Sequence, residues 1–318
     1  MKAKLLVCGA SGFIGRNLFE YFSALPEYEV YGTSFKNGIP GAPPIVKADL
    51  TDPADVDGVI RGMDIVIQAA AVTSGAGDIV TRPYLHVTDN AVMNAHIFRA
   101  CHEHKVKRVI YFSCTSMYEE SPVPAREEDF NGRIHEKYFG VGWTKVYNEK
   151  MCEFYARLGP GKYTAVRHSN IYGPHDKFDL ERSHVFGATV TKVLSAPENG
   201  KITVWGDGSD ERDLLYINDL VEFIALALKR QEKPFELVNA GSGRSVSVRE
   251  LIAKIIEKSG RTLGVEYDLS KPAIGFKLKL NIERAEKIFG WRPATSLEEG
   301  IKKTIAWHRA HYALKAGA

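Results

Sequence analysis

Leu5-Leu6-Val7-Cys8-Gly9-Ala10-Ser11-Gly12-Phe13-Ile14-Gly15 is the stretch that decides the fold. Its apolar start is the length of one buried strand, and the GxxGxxG run that follows leads into a helical pattern from about Ile14 to Ser23. Small residues at Gly9, Gly12 and Gly15 permit a tight turn and a close approach of ligand to backbone. The first amides of the helix are then free to meet a pyrophosphate. A glycine triplet alone is weak evidence, and a purely structural turn is the competing reading. Its position at the first strand-to-helix junction of a βα series is the context a dinucleotide site requires.

Working outward, strand and helix signals alternate. Val30–Gly32, Ile45–Lys47, Asp64–Ala69, Arg108–Ser113 and Tyr163–Arg167 read as further strands. Asp57–Arg61, Asn90–His104 and Gly142–Leu158 read as the intervening helices, with a polar loop from Glu119 to Tyr138. Near-continuous apolar strands separated by helices predict an α/β fold, a doubly wound, mostly parallel sheet of Rossmann type with a smaller mixed α/β lobe for substrate. Beyond Asn170 the pattern is less regular, with helices at Val185–Leu194, Ile217–Leu228, Val248–Lys258 and Leu297–Tyr312 and strands at Lys201–Trp205 and Lys233–Asn239. The expected division is a dinucleotide lobe over 1–170, rejoined by 214–240, and a substrate lobe over 171–213 and 241–318.

Composition narrows the function. A net charge of +3 with dispersed Lys and Arg gives no stripe for nucleic acid. No apolar run approaches the ~18–20 residues of a membrane span. The cysteines Cys8, Cys101, Cys114 and Cys152 form no close metal-ligand pair, the ten histidines are scattered, and no metal is expected. With no secretory leader, reduced thiols in a cytoplasmic protein are the expectation.

At the end of the second strand, where NAD-selective sites usually carry a carboxylate, stand Thr33, Ser34 and Lys36. A hydroxyl and an ammonium suit a 2′-phosphate, so NADP(H) is favoured over NAD(H). Asp49 and Leu50 fall where adenine would lie, and Asp49 alternatively starts a turn.

Further motifs make the comparison specific. Gly9 to Gly15, Ala69-Ala70-Ala71, Asn170-Ile-Tyr172-Gly173-Pro174, Arg212-Asp213 with Tyr216 and Asp219, and Trp291-Arg292-Pro293 resemble the extended short-chain dehydrogenase/reductase family acting on nucleotide sugars. Within it, His175-Asp176-Lys177-Phe178, Ser183-His184-Val185 and Ser270-Lys271-Pro272 lean toward the GDP-fucose synthase branch, epimerase-reductases of a GDP-4-keto-6-deoxy sugar. The resemblance implies a cofactor set of Gly9, Ser11, Gly12, Phe13, Ile14, Gly15, Ser34, Lys36, Asp49, Leu50, Ala69, Ala70, Ala71, Asn90, Lys145 and His168. It implies a substrate set of Asn170, His184, Val185, Trp205, Arg212 and Lys277, with Arg212 and Lys277 on the diphosphate. A homodimer through the helices at 90–104 and 142–158 is implied as well.

For chemistry the resemblance makes Lys145 the active-site lysine and His184 the acid of epimerisation. Cys114 stands at the family's Ser/Thr position with Thr115 adjacent, and Ser116 stands where the branch has a cysteine base. The family's tyrosine, four residues before the lysine, is here Val141, which exchanges no proton. Tyr138 is the nearest substitute, yet on one continuous helix it would lie ~10 Å along the axis from Lys145. The expected function is epimerisation, reduction or both at a 4-keto sugar on a nucleoside diphosphate, with GDP implied by the resemblance. The alternatives are an NAD-dependent nucleotide-sugar 4-epimerase and a non-catalytic sugar-nucleotide binder that has lost the Ser-Tyr pair.

Overall fold

The computed structural model describes residues 2–36, 45–73, 82–180, 183–270 and 277–312. Lys271 and Pro272 of the branch-specific motif lie outside them. Strands β1 (Ala3–Cys8), β2 (Tyr28–Ser34), β3 (Ile45–Lys47), β4 (Ile65–Gln68), β5 (Arg108–Phe112), β6 (Lys162–His168) and β10 (Phe235–Ala240) form one sheet. Its order is β3-β2-β1-β4-β5-β6-β10, with every pairing parallel. Leu5 to Cys8 and Ile65 to Gln68 are buried throughout, as a central strand covered on both faces must be. The order reverses between β1 and β4, so their C-terminal ends open a crevice for a ligand.

Helices α1 (Phe13–Ser23), α2 (Pro53–Ile60), α3 (Thr88–Glu103), α4 (Phe139–Leu158) and α6 (Ile217–Arg230) pack on this sheet. Helix α2 contains most of the expected Asp57–Arg61 segment and begins at Pro53. Asp52 caps it by accepting from the Ala54 amide at 2.7 Å, and Pro53 supplies a preset first turn. That Asp-Pro pair is a start signal the hydrophobic pattern had concealed.

The remaining chain builds a second layer over the strand ends. Strands β7 (Asn170–Tyr172), β9 (Glu211–Tyr216) and β11 (Ser245–Ser247) form a mixed sheet in the order β11-β9-β7. Strands β8 (Lys201–Trp205) and β12 (Gly264–Asp268) pair in parallel. Helices α5 (Val185–Ser195), α7 (Val248–Ser259), α8 (Glu283–Phe289) and α9 (Leu297–Tyr312) surround them. Strands β9 and β12 and helix α8 were not foreseen, being short and mixed in polarity.

Two buried carboxylates hold this layer together. Asp213 accepts from the Leu280 amide at 3.0 Å, the Ser242 amide at 2.7 Å and hydroxyl at 2.8 Å, and the Gly243 amide at 3.2 Å. Asp219 in α6 accepts from the Ala294 and Thr295 amides, and its carbonyl accepts the Trp291 indole N–H at 3.0 Å. The Trp291-Arg292-Pro293 turn is thereby fixed to α6.

A third buried charge lies within the sheet. Arg167 of β6 forms a bidentate pair with Glu149 of α4, Nε to Oε1 at 2.9 Å and Nη2 to Oε2 at 2.7 Å. Burial alone would lower the Arg167 pKa, but Glu149 carries it above its ordinary value. Arg167→Met leaves Glu149 uncompensated and is expected to cost about 3–5 kcal/mol in denaturant unfolding. Adding Glu149→Leu should recover much of that loss; full additivity of the two changes would argue against a coupled pair.

Candidate active site

The first turn is built for an anion. Gly9 adopts φ +74°, and a Cβ there would come within 2.7 Å of the Ala70 Cα, so the glycine loop lies directly against the exit of β4. A side chain on Gly15 would overlap the Gly9 carbonyl oxygen. Gly12 caps α1 without any side-chain bond, and the first turn carries no acidic residue. Open amides and the positive end of the helix dipole therefore face the crevice. Ser11 and Gly12 are exposed on its lip, with Phe13 and Ile14 half-buried behind them.

The walls of this groove are internally braced. The Gly9 amide donates to Thr33 Oγ1 at 3.0 Å, and the Ser11 and Ser34 hydroxyls meet at 3.0 Å. Asn90 exchanges two 3.0 Å bonds with the Val72 backbone, shaping the chain just beyond Ala69, Ala70 and Ala71. Asp49 accepts from the Thr51 amide at 3.0 Å and hydroxyl at 2.7 Å, which is the turn reading of that residue. Leu50 is buried and Lys36 exposed.

The reacting end gathers around the tip of β5. Lys145 Nζ donates to the Phe112 carbonyl at 2.8 Å and lies 5.2 Å from the Tyr111 ring centre. Burial lowers its pKa, opposed by Cys114 and Glu149. Cys114 Sγ and Ser116 Oγ are 2.9 Å apart, and Thr115 is half-buried between them. His168 Nδ1 donates to the Ser169 carbonyl at 2.7 Å, leaving Nε2 as an acceptor. Burial depresses its pKa to about 4, with Lys145 and His184 adding and the Ser169 bond opposing. His184, at the N-cap of α5, opens to solvent from a crowded concave wall; desolvation lowers its pKa, and the Lys177 charge adds to this.

Val141 lies in α4, one turn before Lys145, and offers no hydroxyl. Tyr138 ends a 3-10 turn (Glu136–Tyr138) and is the N-cap of α4. Burial raises its pKa; Arg212 opposes that, while Asp210 and Cys114 add to it. Cys114 thus contributes to the shifts of both Tyr138 and Lys145, and Tyr138 also feels Arg212 on β9 of the three-stranded sheet.

On that strand, Arg212 Nη2 pairs with Asp210 at 3.0 Å and Nη1 donates to the Glu211 carbonyl at 2.8 Å. Lys277 lies 3.5 Å from Glu211. Asn170 donates to the Asp213 carbonyl at 3.3 Å, Val185 opens α5 half-buried, and Trp205 at the end of β8 is 62% exposed. Among the described residues, no group of three His, Cys, Asp or Glu is placed to hold a metal.

Beneath the site runs a network that motif reading missed. Ser113 donates to Glu149 at 2.6 Å, Arg167 Nη1 to the Tyr118 hydroxyl at 3.0 Å, and Tyr118 to Asn239 at 2.7 Å. Its signal in the sequence was a charged Arg167 directly after the apolar Ala165-Val166 of a central strand.

A family model described as the NAD dependent epimerase/dehydratase family matches residues 5–241. The chain belongs to that family. It is 31% identical to a GDP-L-fucose synthase of Azorhizobium caulinodans, covering 96% of each chain. Among solved structures it is similar to the UDP-glucose 4-epimerase of Thermotoga maritima with UDP-glucose, at 25% identity and TM-score 0.86, covering 97% of this chain and 99% of that one. It also resembles the Thermus thermophilus UDP-glucose 4-epimerase complexed with NAD, at 24% identity and TM-score 0.83, with the same coverages. The protein is an enzyme with the Rossmann-type fold that its first turn implies. No described helix is long and apolar enough to cross a membrane.

The expectation of NADP(H) is corrected. Four of the similar structures are complexes with NAD. Thr33 and Ser34 are buried, and their hydroxyls already serve Gly9 and Ser11 rather than awaiting a 2′-phosphate. The groove itself fits NAD, since its glycine cradle and uncapped helix end are the features a pyrophosphate needs.

His168 also gives a test by pH. Between its ordinary value of 6.5 and about 4, the unfolded chain binds a proton at this residue that the folded chain refuses. Stability should therefore fall as pH drops through that window. Melting temperatures of wild type and His168→Gln, measured from pH 7.5 to 4, should converge toward acid; parallel curves would contradict the assignment.

Proposed function

We propose that this family member epimerises a nucleoside-diphosphate sugar with NAD held throughout the cycle, and that Tyr138 does the work of the tyrosine missing at 141. What carries the reading is the setting of Tyr138, which shares the Cys114 end of the crevice with Lys145 and feels Arg212 of β9. Bound NAD supplies reversible hydride uptake. Tyr138 takes the proton of the sugar hydroxyl and returns it, and a cationic nicotinamide nearby favours its anion. Lys145 holds the nicotinamide ribose, and Arg212 with Lys277 grips the diphosphate. The similar UDP-glucose 4-epimerases support the reaction class.

The test is conversion of a panel of UDP- and GDP-hexoses, followed by NMR, with NAD content recorded in parallel. Tyr138→Phe is expected to lose about 10²–10⁴ of the rate while keeping NAD. An unchanged rate would remove Tyr138 from the chemistry. Arg212→Ala should weaken sugar-nucleotide binding far more than NAD binding in calorimetry; equal losses would point to a folding role.

A second reading, proton exchange beside an existing ketone, is favoured by His184, which is solvent-exposed at the N-cap of α5 and adds to the lowered pKa of His168. It requires deuterium uptake from heavy water into a 4-keto sugar nucleotide, abolished by His184→Asn. Dimerisation is also proposed. Phe139, Trp143, Tyr147, Phe154 and Leu158 expose one apolar stripe along α4, with Val92 exposed on α3. Tyr147→Glu with Phe154→Glu should yield a monomer in light scattering, and an unchanged mass would place any interface elsewhere.

A further inference from the structure

The segment joining β7 to α5 crosses the mouth of the dinucleotide groove and is fastened on both sides. On one side, Asn17 of α1 donates from Nδ2 to the Pro174 carbonyl at 2.9 Å, and His175 meets Glu20 at 3.2 Å. On the other, Lys177 Nζ donates to the Thr73 carbonyl at 3.2 Å and approaches the Thr73 hydroxyl at 3.5 Å. Asn17 stands in the first turns of the helix whose amides face the pyrophosphate, and Thr73 follows directly on Ala69-Ala70-Ala71. The two fastenings therefore lie on the two walls of the same groove.

The segment is stiff between them. Gly173 has φ +146° and His175 φ +67°, so the chain makes a forced turn after β7. Asp176 is buried and accepts from the Lys177 amide at 2.7 Å, while Phe178 is buried against Trp307, 5.9 Å between ring centres. The backbone of Lys177 is thus fixed, and only its exposed side chain spans the gap. An exposed lysine bond adds little to folding stability. Its consequence lies in what it closes.

We infer that Lys177, through its bond to Thr73, is a cofactor-retaining residue that latches this segment over the bound dinucleotide. The inference rests on the proposed use of NAD, in which the reduced cofactor must stay until the hydride is returned. The Lys177 charge also adds to the effect of burial in lowering the pKa of His184.

The experiment uses the full chain loaded with NADH, mixed rapidly with excess NAD, with release followed by NADH fluorescence. Lys177→Ala should release NADH faster by about two- to fivefold, the worth of one exposed bond from a charged donor. Lys177→Arg, which keeps a donor of similar reach, should restore slow release, and Asn17→Ala should accelerate it from the opposite wall. Matched melting curves keep unfolding apart from unlatching. Release from Lys177→Ala at the wild-type rate, with NADH bound, overturns the latch and leaves the proposed function standing. So does a raised KM for the sugar nucleotide with NADH release unchanged, which would assign Lys177 to substrate. Failure of the wild type to bind NADH removes the proposed function and the latch with it.

Discussion

The Arg167–Glu149 pair is the interaction on which the rest of the site depends. Both charges are removed from water, so each is tolerable only while the other holds its position. Their geometry fixes the distance between the fifth and sixth strands and the long helix that carries Lys145. Glu149 sits one turn beyond Lys145 on that helix and accepts the Ser113 hydroxyl beside Cys114. The tip of β5, the lysine and the floor of the crevice are therefore located by one carboxylate. Arg167 extends the same control outward, through Tyr118 and Asn239, to the last strand of the sheet.

Around this floor the crevice combines two electrostatic habits. Its dinucleotide end offers uncapped amides and no acidic side chain, a field suited to phosphate. Its reacting end disfavours positive charge: His168 is kept neutral by burial, and the same cause lowers the pKa of Lys145. A second cation close to an oxidised nicotinamide would oppose its binding, so a neutral imidazole with a free acceptor nitrogen is a compatible neighbour. Arg212 and Lys277 are each already beside a carboxylate that moderates its charge.

What the sequence disclosed followed from continuity. The strand from Leu5, its glycines and the first helix were legible because a buried parallel strand is apolar at every position and the turn tolerates no side chain. Strand β9 was not, because Glu211, Arg212 and Asp213 interrupt it with charges, and the partners of Glu211 and Asp213 lie far along the chain. Asp213 reads as a polar motif residue, yet its oxygens meet amides near positions 242 and 280. The cofactor preference misled for a related reason. Thr33 and Ser34 are hydroxyl residues in the right place, but folding uses those hydroxyls to brace the glycine loop. Tyr138 was visible as a candidate, and its setting depended on a 3-10 turn that periodicity does not announce.

The completion of the large sheet has a consequence for synthesis. Strand β10 pairs with β6, yet β7, β8, β9 and α6 are made between them. At roughly 5–20 residues per second, a nascent chain waits several seconds with β6 as an open edge. During that wait Arg167 lacks the Asn239 end of its network, and an uncovered row of amides and carbonyls is free to pair with another chain. The passage of residues 235–240 from the ribosome thus covers β6 and moves the sheet edge outward to β10.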